Sequence, residues 1–314
     1  MVAKSLWHSD PYHSEIKSQA IDTLPGQVLI HAQYSLISIG TERLISLGKV
    51  PPRLQSSMKV PYMAGDFNLP LKYGYSLVGN SDQGDLYHVM HPHQDICAVS
   101  PEHLHRLPQS IPALRATLFS NLETACNAFW DGDPSENESV LIVGFGLIGG
   151  LIAGWLKLKG IEKVFIMEKD AYRLQYARQL GFQVLQEHEQ KRNFQLAYHC
   201  TATSEGLQYC IDHMDVEGRI IEMSWYGDMP VSLLLGTEFH YKRLSIKSSQ
   251  VSSIPLKLLG SETYASRKAA VLEMLEHPFW DRYLDKIIPL EETPSWFDAI
   301  REGKIKILSL IIKY

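Results

Sequence analysis

The chain has 314 residues, of which 45% are hydrophobic and 21% charged, and its formal net charge is −5. That length suits about two domains of ordinary size, each able to bury its own core. The mildly acidic balance, without blocks of like charge, argues against a nucleic-acid surface and against acidic or basic tails.

The opening residues, MVAKSLWHSDPYHSE, lack the apolar core of a signal peptide, and no stretch of about 18 apolar residues follows. A cytoplasmic protein without membrane contact is therefore expected. Cys97, Cys126, Cys200 and Cys210 form no CxxC pair, so buried free thiols are expected in place of a disulfide framework or a zinc knuckle.

Residues 1–112 read as a mostly β domain of short runs separated by Gly and Pro. In QVLIHAQYSL, Val28, Ile30, Ala32, Tyr34 and Leu36 alternate with His31, Gln33 and Ser35, the pattern of a half-buried strand. Shorter strands are expected around Leu77–Val78 and Asp95–Val99. A helix follows from Pro112, with Leu114, Leu118, Leu122, Ala125 and Phe129 at helical spacing. Residues 113–250 then alternate strands and helices: SVLIV, a helix from Leu147 to Lys159, KVFIM, a helix from Asp170 to Leu180, FQLAYHC, a helix over SEGLQYCIDHM, and RIIEM. Such alternation implies βαβ units, a parallel sheet and helices on both of its faces. In residues 251–314 a helix over SRKAAVLEMLEH and an amphipathic segment near Trp296–Arg301 precede an apolar strand, KILSLIIKY, expected to return to the first domain.

The segment VLIVGFGLIGGLIAG, residues 140–154, sets Gly144, Gly146 and Gly149 between a strand and a helix. In G-x-G-x-x-G the first glycine permits a tight turn, the second lets backbone approach a pyrophosphate, and the third lets the helix pack on the strand. The helix N-terminus offers free N–H groups and a partial positive charge to the phosphates, with Leu147 and Ile148 in its first turn. Glu168 ends the next strand, 24 residues after Gly144, where a carboxylate accepts hydrogen bonds from the adenine ribose and repels a 2′-phosphate. NAD(H) is favoured on that basis. Lys169 and Arg173 beside it leave NADP(H) open, and Arg173 is counted with the coenzyme-binding residues.

Together with ISIGTE (37–42), LKYGYSLVG (71–79), HPHQ (91–94), NLETACNAFW (121–130), SWYGD (224–228) and LGTEFHYKRLSIKSSQV (235–251), this organisation resembles the medium-chain dehydrogenase/reductase superfamily. It is similar to an alcohol-dehydrogenase-like branch without zinc, akin to bacteriochlorophyllide dehydrogenase. The resemblance implies an α/β fold: a Rossmann doubly wound parallel sheet plus a GroES-like β-rich catalytic domain. Zinc members of that superfamily place a cysteine near Ser38, Gly-His-Glu where this chain has Gly74-Tyr75-Ser76, and a further cysteine around Ser120–Glu123. The four-cysteine structural lobe is also missing, so no zinc is expected. His91 with His93, and His103 with His105, are read first as polar loop residues and only second as a metal or substrate site.

Without a Lewis acid, a hydroxyl donor or proton relay has to manage the charge on the reacting oxygen. The resemblance points to Tyr75 as proton donor, with Ser38 beside it and Glu123 or Glu42 as relay partner. The competing reading of Tyr75 is an aromatic that fills the vacated metal pocket. Thr124 stands in the superfamily's Thr-Ala pair near the nicotinamide. Thr201 and Ser224 fall at strand carboxyl ends, where coenzymes bind. Trp225 and Tyr226 are read either as core aromatics or as a wall for a bulky or aromatic substrate. An NAD(P)(H)-dependent oxidoreductase for a carbonyl/alcohol pair or an activated double bond is expected, and a catalytically inactive nucleotide-binding sensor or scaffold is the alternative. RLSIKSSQV, at the last strand of the parallel sheet, is expected to pair edge to edge in a homodimer.

Overall fold

A computed structural model describes residues 1–185 and 192–314. By contact density the chain forms two units, one of residues 1–120, 274–305 and 309–314, the other of residues 121–273 and 306–308.

The first unit is built of two sheets. Strand β1 (Val2–Asp10) turns back as β2 (His13–Ala20), and the turn is fixed by the Tyr12 N–H donated to Asp10 Oδ1 at 2.7 Å. This hairpin was not foreseen, because its polar residues break any simple apolar alternation. The long strand β3 (Val28–Ile37) follows, and β4 (Ala64–Gly65) and β5 (Leu71–Lys72) complete the first sheet in the order β2-β1-β5-β4. Strands β6 (Leu77–Ser81), β7 (Leu86–Val89), β8 (Ile96–Val99) and β9 (Leu104–Arg106) build the second sheet with β3. The segment Leu310–Lys313 pairs antiparallel with β3 on the edge opposite β6, beyond β8, and Lys286–Pro289 pairs with that segment.

Ile30 and Leu36 of β3 are buried as the alternation requires. Between Ala32 and Tyr34, however, the register against β6 slips by one residue. A bulge of this kind shifts which side chains face inward. Ser35, which the pattern puts on the polar face, is fully buried. A helix, Ile39–Ser46, starts directly after β3, with Ser38 as its N-cap residue.

The helix expected from Pro112 is two pieces. Pro112 is an N-cap residue, not a first helical residue, for the short Ala113–Ala116 helix, and a second helix spans Phe119–Gly132. The Arg115 of the short piece is buried. Its Nε and Nη2 hold both carboxylate oxygens of Asp281 at 2.7 and 2.6 Å, and its Nη1 donates to the carbonyl of Leu275 at 3.0 Å.

The second unit has one six-stranded sheet, all parallel, in the order β12-β11-β10-β13-β14-β15, where β10 is Val140–Val143, β11 Val164–Met167, β12 Gln183–Val184, β13 Phe194–His199, β14 Met214–Glu222 and β15 Ser245–Ser248. Helices Leu147–Leu158, Ala171–Gln179 and Ser204–His213 lie between these strands in sequence. Every residue of β10 and β11 is buried, as strands covered on both faces demand. Leu141, Val143, Phe165 and Ala197 pack with Leu207 and Ile211 of the Ser204–His213 helix on one face. On the other, Leu196 and Tyr198 close on Gly132, and Ile142 on Gly149. This is the doubly wound arrangement, with β15 at its edge.

Arg115 is the tie between the 113–116 and 275–281 segments of the first unit, and it supplies a testable case. Removing the guanidinium leaves buried carbonyls unpaired, whereas the half-exposed Asp281 can turn to water. Arg115→Ala should destabilise this unit by about 2–3 kcal/mol, and Arg115→Lys should recover only part. Urea denaturation followed by tryptophan fluorescence tests this, since Trp280 is fully buried in the same segment. An unchanged midpoint would mean that the tie is not structural.

Candidate coenzyme and hydroxyl sites

The turn after β10 is set by two glycines that admit no side chain. Gly144 has φ of +96°, and a Cβ there would lie 2.7 Å from Thr201 Cγ2. A Cβ on Gly149 would come 2.0 Å from the Gly144 carbonyl oxygen, so the helix can begin against the strand only without one. Gly146 differs. A Cβ there would meet nothing nearer than Arg173 Nη1 at 3.9 Å, which leaves an open approach to the backbone. It is the N-cap residue of the Leu147–Leu158 helix and brings no side-chain cap; Leu147 and Ile148 are half-buried in the first turn. The leading N–H groups of that helix are therefore available to an anion.

Arg173 reaches this turn from the Ala171–Gln179 helix. Its backbone N–H donates to the N-cap Asp170 at 3.0 Å, and its Nε is buried without a hydrogen bond among the described residues. Lys169 is exposed. Glu168 has a structural duty that the motif did not announce. Its Oε2 accepts the Phe145 N–H at 2.7 Å, and its Oε1 accepts those of Lys169 at 2.7 Å and Asp170 at 2.9 Å. A carboxylate offers about four acceptor directions, so roughly one remains for a ribose hydroxyl.

Thr201 and Ser224 belong to a larger polar network at the carboxyl ends of β13 and β14. His199, fully buried, faces Glu222 through Nδ1 at 2.8 Å and Thr201 Oγ1 through Nε2 at 2.6 Å. Thr201 Oγ1 lies 2.9 Å from Thr203 Oγ1. The Ser224 N–H donates to Glu222 at 2.7 Å, and its Oγ accepts the N–H of Ala202, whose φ is +52°. Tyr226 donates its hydroxyl to Glu222 at 3.0 Å. Burial by itself would raise the Glu222 carboxyl, but the hydrogen bond and charge of His199, with the Ser224 N–H, hold it below the usual carboxylate range. Tyr226 is thus a member of a hydrogen-bonded cluster, while Trp225 is half-buried beside it. His199 and Glu222 were missed. The signal was there, since both end apolar strands of one parallel sheet, but only the pairing of β13 with β14 makes them partners.

In the first unit, Ser38 is buried, and the hydroxyl of the half-buried Tyr75 is in hydrogen-bond contact with the side chains of Ser38 and Thr41. Burial pushes the Tyr75 pKa up to about 12, against the lowering effect of these hydrogen bonds. The group therefore stays a protonated donor at neutral pH. Glu42 is fully buried behind this cluster: its Oε1 accepts the Ser38 N–H at 2.7 Å, and its Oε2 pairs with His93 Nε2 at 2.9 Å.

Glu123 of the second unit is paired with Arg267 at 3.2 Å, and burial raises its carboxyl in spite of that guanidinium. Thr124 beside it is half-buried. The two histidine pairs do not act as pairs. His91 turns Nδ1 to the Pro92 carbonyl while His93 faces Glu42, and His103 meets the Tyr62 hydroxyl while His105 stacks near His88 and Phe119. Among the described residues no three His, Cys, Asp or Glu side chains gather as a metal site.

No family model and no curated protein matches the chain by sequence. Solved structures do match by shape. A "short chain alcohol dehydrogenase" from Escherichia coli CFT073 complexed with NADH is 15% identical with a TM-score of 0.78, covering 100% of this chain and 99% of that one. The 2R,3R-butanediol dehydrogenase of Bacillus subtilis is 17% identical with a TM-score of 0.76, covering 99% of each chain. L-Idonate 5-dehydrogenase from Escherichia coli K-12 is 13% identical with a TM-score of 0.79, covering 100% of this chain and 99% of that one. A Rossmann unit, a β-rich unit and these matches over the whole length give one conclusion: the chain has the fold of the alcohol and polyol dehydrogenases.

Proposed function

We propose that the protein is an NAD(P)(H)-dependent oxidoreductase that moves a hydride to or from a carbonyl/alcohol pair or an activated double bond without zinc. The observation that carries this is the Gly144–Gly149 turn, with its open Gly146 face, uncapped helix N-terminus and the Arg173 guanidinium beside it. These groups fit a dinucleotide pyrophosphate. One of the structures sharing the fold holds NADH. The nicotinamide supplies the hydride; this chain's own residues orient the coenzyme and supply hydrogen bonds. The Ser38, Thr41 and Tyr75 hydroxyls supply the donor for a substrate oxygen, since Tyr75 keeps its proton at neutral pH. Glu123 is paired with Arg267, and Glu42 meets the cluster through the Ser38 backbone N–H, a contact that orients Ser38 and does not pass a proton.

Calorimetric titration with NADH and NADPH tests coenzyme use. Glu168→Ala frees the Phe145 N–H and removes the ribose acceptor, so NADH should bind at least about tenfold more weakly, with a narrower preference over NADPH. Arg173→Ala should weaken both coenzymes. A native protein that binds NADPH more tightly would overturn the ribose role of Glu168.

Zinc independence is tested by composition. Ser38 and Tyr75 offer hydroxyls where the resemblance would put a thiolate and an imidazole, while Ser76 gives its hydroxyl to the Thr117 carbonyl, and hydroxyls hold zinc poorly. Elemental analysis of protein prepared without chelator should give zinc well below one per chain, and one tightly held zinc per chain would reject the proposal.

We further propose a homodimer through β15. Its outer edge has no partner strand among the described residues, and Leu234 and Tyr241, in the segment leading to it, are 68% and 65% exposed. Lys247 and Lys257, the charges that could blunt the edge, are drawn into ion pairs with Asp131 and Asp133 at 2.6 Å. Light scattering should give about twice the 35.6 kDa chain mass, and Ile246→Pro should halve it. A native mass of one chain is the contrary result.

A further inference from the structure

Glu42, His93, Ser35 and Tyr314 form a continuous buried chain of polar groups in the first unit. Glu42 Oε2 lies 2.9 Å from His93 Nε2, His93 Nδ1 lies 2.7 Å from Ser35 Oγ, and Ser35 Oγ lies 2.7 Å from the Tyr314 hydroxyl. Glu42, His93 and Ser35 are completely buried. A carboxylate has no proton to give, so Nε2 carries the hydrogen donated to Glu42. Nδ1 then accepts from Ser35, and Ser35 accepts from Tyr314.

Both ends of the Glu42–His93 pair bear on the hydroxyl cluster. Glu42 sits in the Ile39–Ser46 helix and takes the backbone N–H of its N-cap residue, Ser38, at 2.7 Å, which ties the helix start to the buried carboxylate. The His93 ring lies against the turn before Tyr75. Gly74 has φ of +139°, and a Cβ there would stand 3.1 Å from His93 Nε2 and Cδ2. The pair therefore joins the element that carries Ser38 and Thr41 to the element that carries Tyr75.

We propose that Glu42 and His93 are the positioning residues of the Ser38–Thr41–Tyr75 cluster, fixing the Tyr75 hydroxyl from behind through one buried carboxylate–imidazole contact. The assignment rests on the reading of that cluster as the donor for a substrate oxygen. A buried pair of this type specifies geometry more than it adds stability, since desolvation offsets much of the attraction. Glu42 and Tyr73 are the titratable groups that face Tyr75, with Tyr73 edge-on at 6.2 Å.

Carbon-13 NMR of protein labelled at the tyrosine ring reads the cluster without coenzyme or substrate, so its outcome is independent of whether hydride transfer is confirmed. Tyr75→Phe identifies the signal. In the native protein Tyr75 should titrate near 12. In Glu42→Gln, where the facing charge is gone, the midpoint should fall by roughly half a unit or more. In His93→Gln the Tyr75 signal should shift and broaden, and a downfield, slowly exchanging imidazole N–H should vanish. Arg115→Ala, a destabilised variant elsewhere in the same unit, should leave the signal in place. Ser35→Ala keeps the pair and should give a smaller displacement than His93→Gln, which decides the matter if the Glu42 variant does not fold. A Tyr75 signal unmoved in His93→Gln, or moved equally by Arg115→Ala, would overturn the proposal.

Discussion

The contact between Gly149 and the Gly144 carbonyl constrains much of the second unit. A Cβ at 2.0 Å is beyond any accommodation, so the Leu147–Leu158 helix can start where it does only because residue 149 has no side chain. That start fixes where the helix N-terminus points, and with it the open face of Gly146. The Phe145 N–H is then held by Glu168, which ties the turn to the end of β11. A candidate anion site results from backbone placement, and Arg173 adds charge beside it. Cost and function coincide here. Gly146 weakens the helix start, where Ser or Asp would cap it, but a side chain would occupy the approach.

Buried charge is handled the same way in three places. Arg115 is divided among a carboxylate and backbone carbonyls. Glu222 gathers His199, Ser224 and Tyr226, and Glu42 gathers His93 and the Ser38 N–H. In each case the ion has several directed donors or acceptors, so one geometry satisfies it and neighbouring geometries do not. Apolar replacements of equal volume would pack as well and specify less. Two of the three clusters stand at residues that carry candidate functional groups.

The second unit was legible because its signals are local. Apolar runs such as VLIV and VFIM, broken by Gly144, Gly160 and Gly181, show where strands and helices begin and end, and the motif glycines Gly144, Gly146 and Gly149 lie within six residues. The first unit was less so. Its N-terminal hairpin mixes apolar and polar residues without a clean period, and beyond the bulge after Ala32 the end of β3, from Ser35 to Ile37, is buried on both faces. Periodicity placed Ser35 on the polar side, although it is a buried hydrogen-bonding group. The pairs that matter most, Glu42 with His93 and His199 with Glu222, are 51 and 23 residues apart and join through strand pairing or packing. No local window contains both members. Tyr75 and Ser38 were named as candidates through resemblance to a known family and Glu168 by spacing, whereas the grip of Glu168 on the glycine turn has no local signal.

On the proposed zinc-free reading, hydroxyls stand where a metal would otherwise polarise the substrate oxygen, and the demand on the scaffold changes accordingly. A metal polarises an oxygen through its charge. A neutral hydroxyl offers one directed hydrogen bond, which weakens steeply as the angle departs from linear. A donor such as Tyr75, whose proton is retained up to about pH 12, is useful only if its direction is fixed. The buried Glu42–His93 contact behind it, the close approach of His93 to Gly74, and the hold of Glu42 on the Ser38 N–H all restrict that direction. In the proposed reaction, precision of the protein scaffold takes over the part that ionic charge plays in a metal site.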